Sequence, residues 1–134
     1  MLRAAFVDNK KPLLAGLLVW VSLTCPVLVH ARQPVPVDGL ATVAAADLPP
    51  QGRQTLQLIH DGGPFPYSKD GTVFGNRERL LPAKQRGYYL EYTVKTPGSR
   101  DRGARRIVCG GQPRTPDACY YTGDHYASFK RIVQ

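Results

Sequence analysis

The sequence predicts an α+β domain in which one N-terminal helix packs on one face of a twisted antiparallel β-sheet. Three observations carry this expectation. Apolar residues recur at helical spacing between Asp47 and His60, residues 88–95 alternate with a period of two, and Gly and Pro punctuate short strand-like runs from there onward.

The first third of the 134 residues does not read as part of that domain. Arg3, Lys10 and Lys11 precede an apolar run from Leu13 to Val29, and Val29-His30-Ala31 offers small residues where a signal peptidase cuts. Residues 1–31 are therefore expected to be an export signal. The competing reading is an uncleaved anchor, because 17 residues lie near the lower limit for spanning a bilayer; Pro26 and the Ala31 site favour cleavage. Ser22-Leu23-Thr24 does not suit lipidation at Cys25. Cleavage would leave 103 residues, enough for one core, carrying 15 Lys and Arg against 9 Asp and Glu, a net +6. Such an excess favours anionic partners without saying which. The remaining cysteines, Cys109 and Cys119, can pair in an oxidising compartment and so constrain the intervening Gly- and Pro-containing segment. Two cysteines without a histidine pair make a poor zinc site, and nothing calls for a metal or cofactor.

Residues 32–46 contain two prolines and mostly small side chains, and read as a flexible lead-in to a domain over 47–134. Asp47 can cap a helix, Pro49 and Pro50 are tolerated in its first turn, and Thr55, Leu56 and Ile59 form its apolar stripe. Gly52 weakens it, and Gly62-Gly63-Pro64 stops it. Residues 64–71 are loop chemistry. In the strand over Tyr88–Lys95, Leu90, Tyr92 and Val94 share one face, and Tyr89, Glu91 and Thr93 share the other. Thr96-Pro97-Gly98 turns the chain. Arg105–Cys109, Tyr120–Tyr121 and Ser128–Val133 read as further strands, with Gly123-Asp124 as a turn between the last two. The face opposite the helix is left free to carry a site.

On that face the alternation places Glu91 and, one strand on, Arg106. A carboxylate beside a guanidinium can handle an anion, although a cross-strand salt bridge is the simpler reading. His125 adds a third group, presented on a turn at the rim of the sheet; a lone loop histidine is otherwise merely solvated. A carboxylate, a histidine and several arginines are together what metal-free RNA cleavage needs. The carboxylate takes the 2′-hydroxyl proton, the imidazolium protonates the leaving 5′-oxygen, and the guanidiniums stabilise the phosphorane.

Three blocks, DGGPFPYSKDGTVFGNRERLLP (61–82), GYYLEYTVKTPGSRDRGARRIV (87–108) and YYTGDHYASF (120–129), closely resemble the small secreted microbial guanyl-specific ribonucleases. That family includes barnase and, nearer to this chain, the Streptomyces ribonucleases. The resemblance implies the microbial ribonuclease fold and cleavage of single-stranded RNA after guanosine through a 2′,3′-cyclic phosphate. It implies Glu91 as general base, His125 as general acid, and Arg102 and Arg106 on the scissile phosphate. It also implies Glu78 as the carboxylate that reads guanine, within a loop of Phe74, Asn76 and Arg77, and Tyr126 lining the site. The guanine role is chemically apt, because a carboxylate can accept from N1–H and N2–H together, a donor pair no other base presents. On its own, Glu78 would be read as bridging Arg77 or Arg79. Arg100 and Arg105 are left to long-range attraction.

The chain departs from its near relatives in two respects. They tie their termini together with a disulfide, whereas here only Cys109 and Cys119 can pair, and Gly75 stands in the recognition loop. Two other readings compete with a secreted, monomeric ribonuclease. One is a non-catalytic RNA-binding module on the same fold, and the other is a toxin used against competitors and encoded beside an acidic immunity protein. By family analogy, a barstar-like acidic inhibitor is an expected partner.

Overall fold

The computed structural model describes Gly16 and residues 38–134. Apart from Gly16, the signal expected over 1–31 lies outside the described residues, as does the lead-in up to Val37. Among the described residues no helix is long and apolar enough to cross a membrane.

Two consecutive prolines decide where the helix begins. A proline pushes the residue before it into extended backbone, and Leu48 (φ −62°, ψ 150°) and Pro49 (φ −51°, ψ 150°) are both extended. Helix α1 therefore starts at Pro50 and runs to Asp61. Asp47, expected as its cap, instead ends a single 3-10 turn over Ala45–Asp47, and α1 has no side-chain cap. The Arg53 guanidinium gathers the preceding loop by donating to the carbonyls of Ala46 (3.2 Å) and Leu48 (2.8 Å). Gly52 has a positive use here, because a Cβ at that position would lie 3.3 Å from the Cβ of Leu48. The expected stop holds: Gly62 is left-handed (φ 82°), and the N–H groups of Gly62 and Gly63 return to the carbonyls of Ile59 and Leu58.

The six strands are β1 (Thr42–Ala44), β2 (Thr72–Val73), β3 (Tyr89–Thr93), β4 (Arg106–Gly111), β5 (Pro116–Thr122) and β6 (Lys130–Val133), arranged in the order β1-β6-β5-β4-β3-β2. All neighbours are antiparallel except β1 and β6. β1 corrects the reading of residues 32–46 as a flexible lead-in over its described part. It pairs with β6, some 90 residues away, and just before it Asp38 accepts hydrogen bonds from the Tyr120 hydroxyl (3.2 Å) and Arg131 (3.4 Å).

Apolar residues fill both faces of the sheet. Leu48, Leu56 and Ile59 from the helix side meet Tyr92, Val94 and Ile107 from the sheet, and each such buried aliphatic side chain contributes about 1.5–3 kcal/mol. Thr55 Oγ1 donates to the Thr93 carbonyl (3.2 Å), joining α1 to β3. The opposite face is not wholly free, contrary to expectation. Leu81, Tyr89, Val108, Tyr120 and Phe129 form a second core there, which leaves one end of the face for a site.

Cys109 and Cys119 are disulfide-bonded and stand directly opposite each other across β4 and β5, within the helix-side core. The Gly- and Pro-containing segment between them is mostly β-hairpin, with β4 running on to Gly111 and β5 starting at Pro116. Closing a loop of 10 residues removes unfolded-chain entropy worth about 2–3 kcal/mol. A Cys109→Ala/Cys119→Ala double variant is expected to lose about that much stability in urea denaturation. An unchanged unfolding midpoint would contradict this.

Candidate active site

Strand register brings the first group of side chains together. Thr93 on β3 faces Arg106 on β4, which in turn faces Thr122 on β5, and Glu91 lies two residues from Thr93 on the same face. Arg106 is only 3% exposed. A guanidinium so enclosed is destabilising unless its donors are satisfied. Its Nη1 donates to the carbonyls of Arg102 (3.3 Å), Gly103 (2.9 Å) and Arg105 (2.7 Å), and its Nε donates to the Tyr126 hydroxyl (3.2 Å). The Tyr126 hydroxyl in turn donates a hydrogen bond to Glu91 Oε2 (2.9 Å). The other Glu91 oxygen lies 3.6 Å from Arg102 Nη2, and Arg102 also donates to Thr93 Oγ1 (3.0 and 2.9 Å). Glu91 is thus held at both oxygens. The direct Glu91–Arg106 bridge that competed in the sequence is replaced by a relay through Tyr126.

The RDRGARR stretch, residues 100–106, is folded by an acid as well as by Arg106. Asp101 Oδ1 accepts from the Ser99 hydroxyl and the Gly103 N–H (2.7 Å each), and these bonds hold its carboxyl below the usual range. Gly103 needs its lack of a side chain, being left-handed (φ +62°) and lying against Thr96 Oγ1.

A cleft of about 640 Å³ opens over Glu91. One wall is the 74–81 loop. Phe74 anchors it through its N–H to the Tyr89 carbonyl (2.9 Å) and stacks on Tyr126 with ring centroids 5.2 Å apart. Asn76 is left-handed (φ 49°), and its amide clips the loop shut by donating to the Leu81 carbonyl (2.9 Å) and accepting from the Leu81 N–H (3.1 Å). Arg77 and Glu78 are exposed along this wall, and Glu78 makes no ion pair among the described residues. The expected bridge from Glu78 to Arg77 or Arg79 is therefore not formed, and a carboxylate stands free in the cleft.

The other wall carries His125 and Tyr126, both left-handed (φ 54° and 70°). Each such non-glycine residue costs of the order of 1 kcal/mol or more, so bonds from nearby must hold the turn. The His125 N–H donates to the Ala104 carbonyl (3.0 Å), which ties this wall to the RDRGARR stretch. Asp124 and the buried Thr122 hold it from within. Hydrogen bonds from the Ser128 hydroxyl, the Ser128 N–H and the Thr122 hydroxyl depress the Asp124 carboxyl to about 2.

Seven of the nine residues singled out for catalysis or substrate binding line this one cleft: Phe74, Asn76, Arg77, Glu78, Glu91, His125 and Tyr126. Arg102 and Arg106 lie behind Glu91 and Tyr126 as their partners. Sequence reasoning missed Leu80, Ala127 and Phe129, which complete the apolar lining, and the organising acids Asp101 and Asp124. Their only signal was Asp within a Gly-containing turn. Among the described residues no group of three His, Cys, Asp or Glu side chains could hold a metal ion.

A sequence model of the ribonuclease family matches residues 31–133. Over 97 residues the chain is 55% identical to guanyl-specific ribonuclease Sa of Kitasatospora aureofaciens, covering 72% of this chain and 98% of that protein. Guanyl-specific ribonuclease Sa3 of the same organism is 58% identical over 96 residues, or 72% of this chain, and the match spans 66% of Sa3. A crystal structure of ribonuclease Sa2 with guanosine-2′-cyclophosphate superposes with a TM-score of 0.64 at 51% identity, covering 70% of this chain and 96% of that one.

Burial, then the hydrogen bond to Glu91 and its charge, raise the Tyr126 phenol above its ordinary value of 10.0, against a smaller downward pull from Arg106. A raised pKa stabilises the fold fully below pH 10.0, and that contribution is lost as pH climbs through the folded-state value. Glu91→Gln removes the charge, so the Tyr126 phenol is expected to titrate closer to 10.0, followed by the tyrosine ring resonances. An unmoved titration would mean that the relay is not formed.

Proposed function

Because the chain belongs to the ribonuclease family, we propose that it is an endoribonuclease that cleaves single-stranded RNA on the 3′ side of guanosine, through a 2′,3′-cyclic phosphate and without metal. The observation that carries the reading is the joining in one cleft of a doubly held carboxylate, Glu91, an exposed imidazole, His125, and an unpaired carboxylate, Glu78.

Glu78 accepts from N1–H and N2–H of the base, which selects guanine. The 74–81 loop, held by the Asn76 clip, keeps that carboxylate in register with Glu91. Glu91 takes the proton of the 2′-hydroxyl, and the 2′-oxygen attacks phosphorus. Arg102 and Arg106 stabilise the charge that develops on the equatorial oxygens. His125 protonates the departing 5′-oxygen, and the bond between phosphorus and that oxygen breaks. In the second step water enters by the reverse path, with His125 as base and Glu91 as acid. Glu91, Arg102, Arg106 and His125 together argue against a module that merely binds RNA, since binding alone needs neither a held carboxylate nor an imidazole opposite it.

The apolar run over 13–29 with its Ala31 site supports export of the product, and the net +6 of residues 32–134 supports attraction to RNA and to an acidic inhibitor. The protein is expected to cut defined oligoribonucleotides after G in the presence of EDTA. Glu91→Gln and His125→Ala are each expected to lower kcat by about 10²–10⁴-fold. A requirement for added metal, or unchanged rates in both variants, would overturn the reading.

A further inference from the structure

His125 poses a positioning problem. Among the described residues no hydrogen bond reaches its imidazole; the ring only meets the edge of Tyr126, with centroids 4.9 Å apart. Its place in the cleft is therefore set by its backbone, which lies in a region that non-glycine residues rarely adopt, as does that of Tyr126. Something must keep two such residues in sequence, and the bonds of the 122–128 loop converge on one carboxylate.

We propose that Asp124 is a positioning residue for His125, acting through a clamp with Thr122 and Ser128 that fixes the left-handed turn and aims the imidazole into the cleft. Asp124 Oδ1 accepts from the Thr122 hydroxyl (2.8 Å) and the Ser128 N–H (2.9 Å), and Oδ2 accepts from the Ser128 hydroxyl. The clamp therefore closes across His125 from both sides in sequence. Thr122 is 1% exposed, and its hydroxyl in turn accepts from the N–H groups of Tyr126 (3.2 Å) and Asp124 (3.4 Å). One end of the clamp is thus rooted in β5, opposite Arg106, and cannot drift with the loop. The low pKa of Asp124 fits a carboxylate that receives three hydrogen bonds.

This inference rests on His125 being the general acid, and the experiment separates the two claims. kcat and KM are measured for the wild type, Asp124→Ala, Asp124→Asn, His125→Ala and Asp124→Ala/His125→Ala, at a temperature where circular dichroism shows each to be folded. Asp124→Ala is expected to lower kcat by about 10–100-fold, the scale of a misplaced reacting group, with KM within about twofold. Asp124→Asn keeps the Oδ1 acceptor and is expected to recover most of that loss. In the His125→Ala background Asp124→Ala is expected to cost almost nothing further, because a residue acting through an absent group has nothing left to position. An equal loss in both backgrounds, or a fall in thermal stability with kcat intact, would overturn the positioning role while leaving the general acid in place. A wild-type rate in His125→Ala would overturn both. If Asp124→Ala does not fold, the same cycle with Ser128→Ala, which removes the bond to Oδ2, decides the matter.

Discussion

The enclosed guanidinium of Arg106 is the contact on which the site depends. A charge that is 3% exposed must be surrounded by acceptors, and the chain supplies them by wrapping the RDRGARR stretch around it so that three carbonyls face one nitrogen. The same guanidinium orients the Tyr126 hydroxyl, which fixes one oxygen of Glu91. Through Ala104 the wrapped stretch also receives the N–H of His125. One cation therefore links the His125–Tyr126 wall to the strand that carries Glu91.

The two cores divide the work of keeping this arrangement still. On the helix side, Ile107 and Val94, both fully buried, lock β4 and the end of β3 against α1. On the site side, Tyr89, Val108 and Tyr120 make a floor on which Phe74 and Phe129 rest, so the cleft is open only at the end where Glu91 projects. The disulfide pins the register of β4 and β5 one rung beyond Val108, and a register slip there would turn Arg106 to the wrong face. A single cross-strand bridge thus stabilises the domain and also keeps the Arg106 guanidinium on the face of Glu91.

Much of this was legible in the sequence. Thr55, Leu56 and Ile59 form the buried stripe of α1, and the alternation over 88–95 placed Leu90, Tyr92 and Val94 toward the helix and Glu91 away from it. The motif blocks led to the charged and hydrogen-bonding side chains that the cleft gathers around Glu91, though not to its apolar Leu80, Ala127 and Phe129. What escaped the reading was set by distant partners or by backbone sterics. β1 is three residues of ordinary composition that become a strand only because β6 is there to pair with, and β2 has just two residues. The late start of α1 follows from Pro49 and Pro50 acting on the residues before them. Asp124 read only as part of a turn and Asp101 drew no reading, because what distinguishes them is the number of donors that fold back onto them.

The central claim is that Arg106 works as a fixed fork rather than as a positive charge in roughly the right place. The kcat of Arg106→Lys tests it most directly. An ammonium keeps the charge but cannot reproduce the fork that holds three carbonyls and the Tyr126 hydroxyl at once. kcat is expected to fall by about 100-fold or more, the scale of losing a preorganised donor at the transition state. A lysine variant that turns over near the wild-type rate would contradict the account.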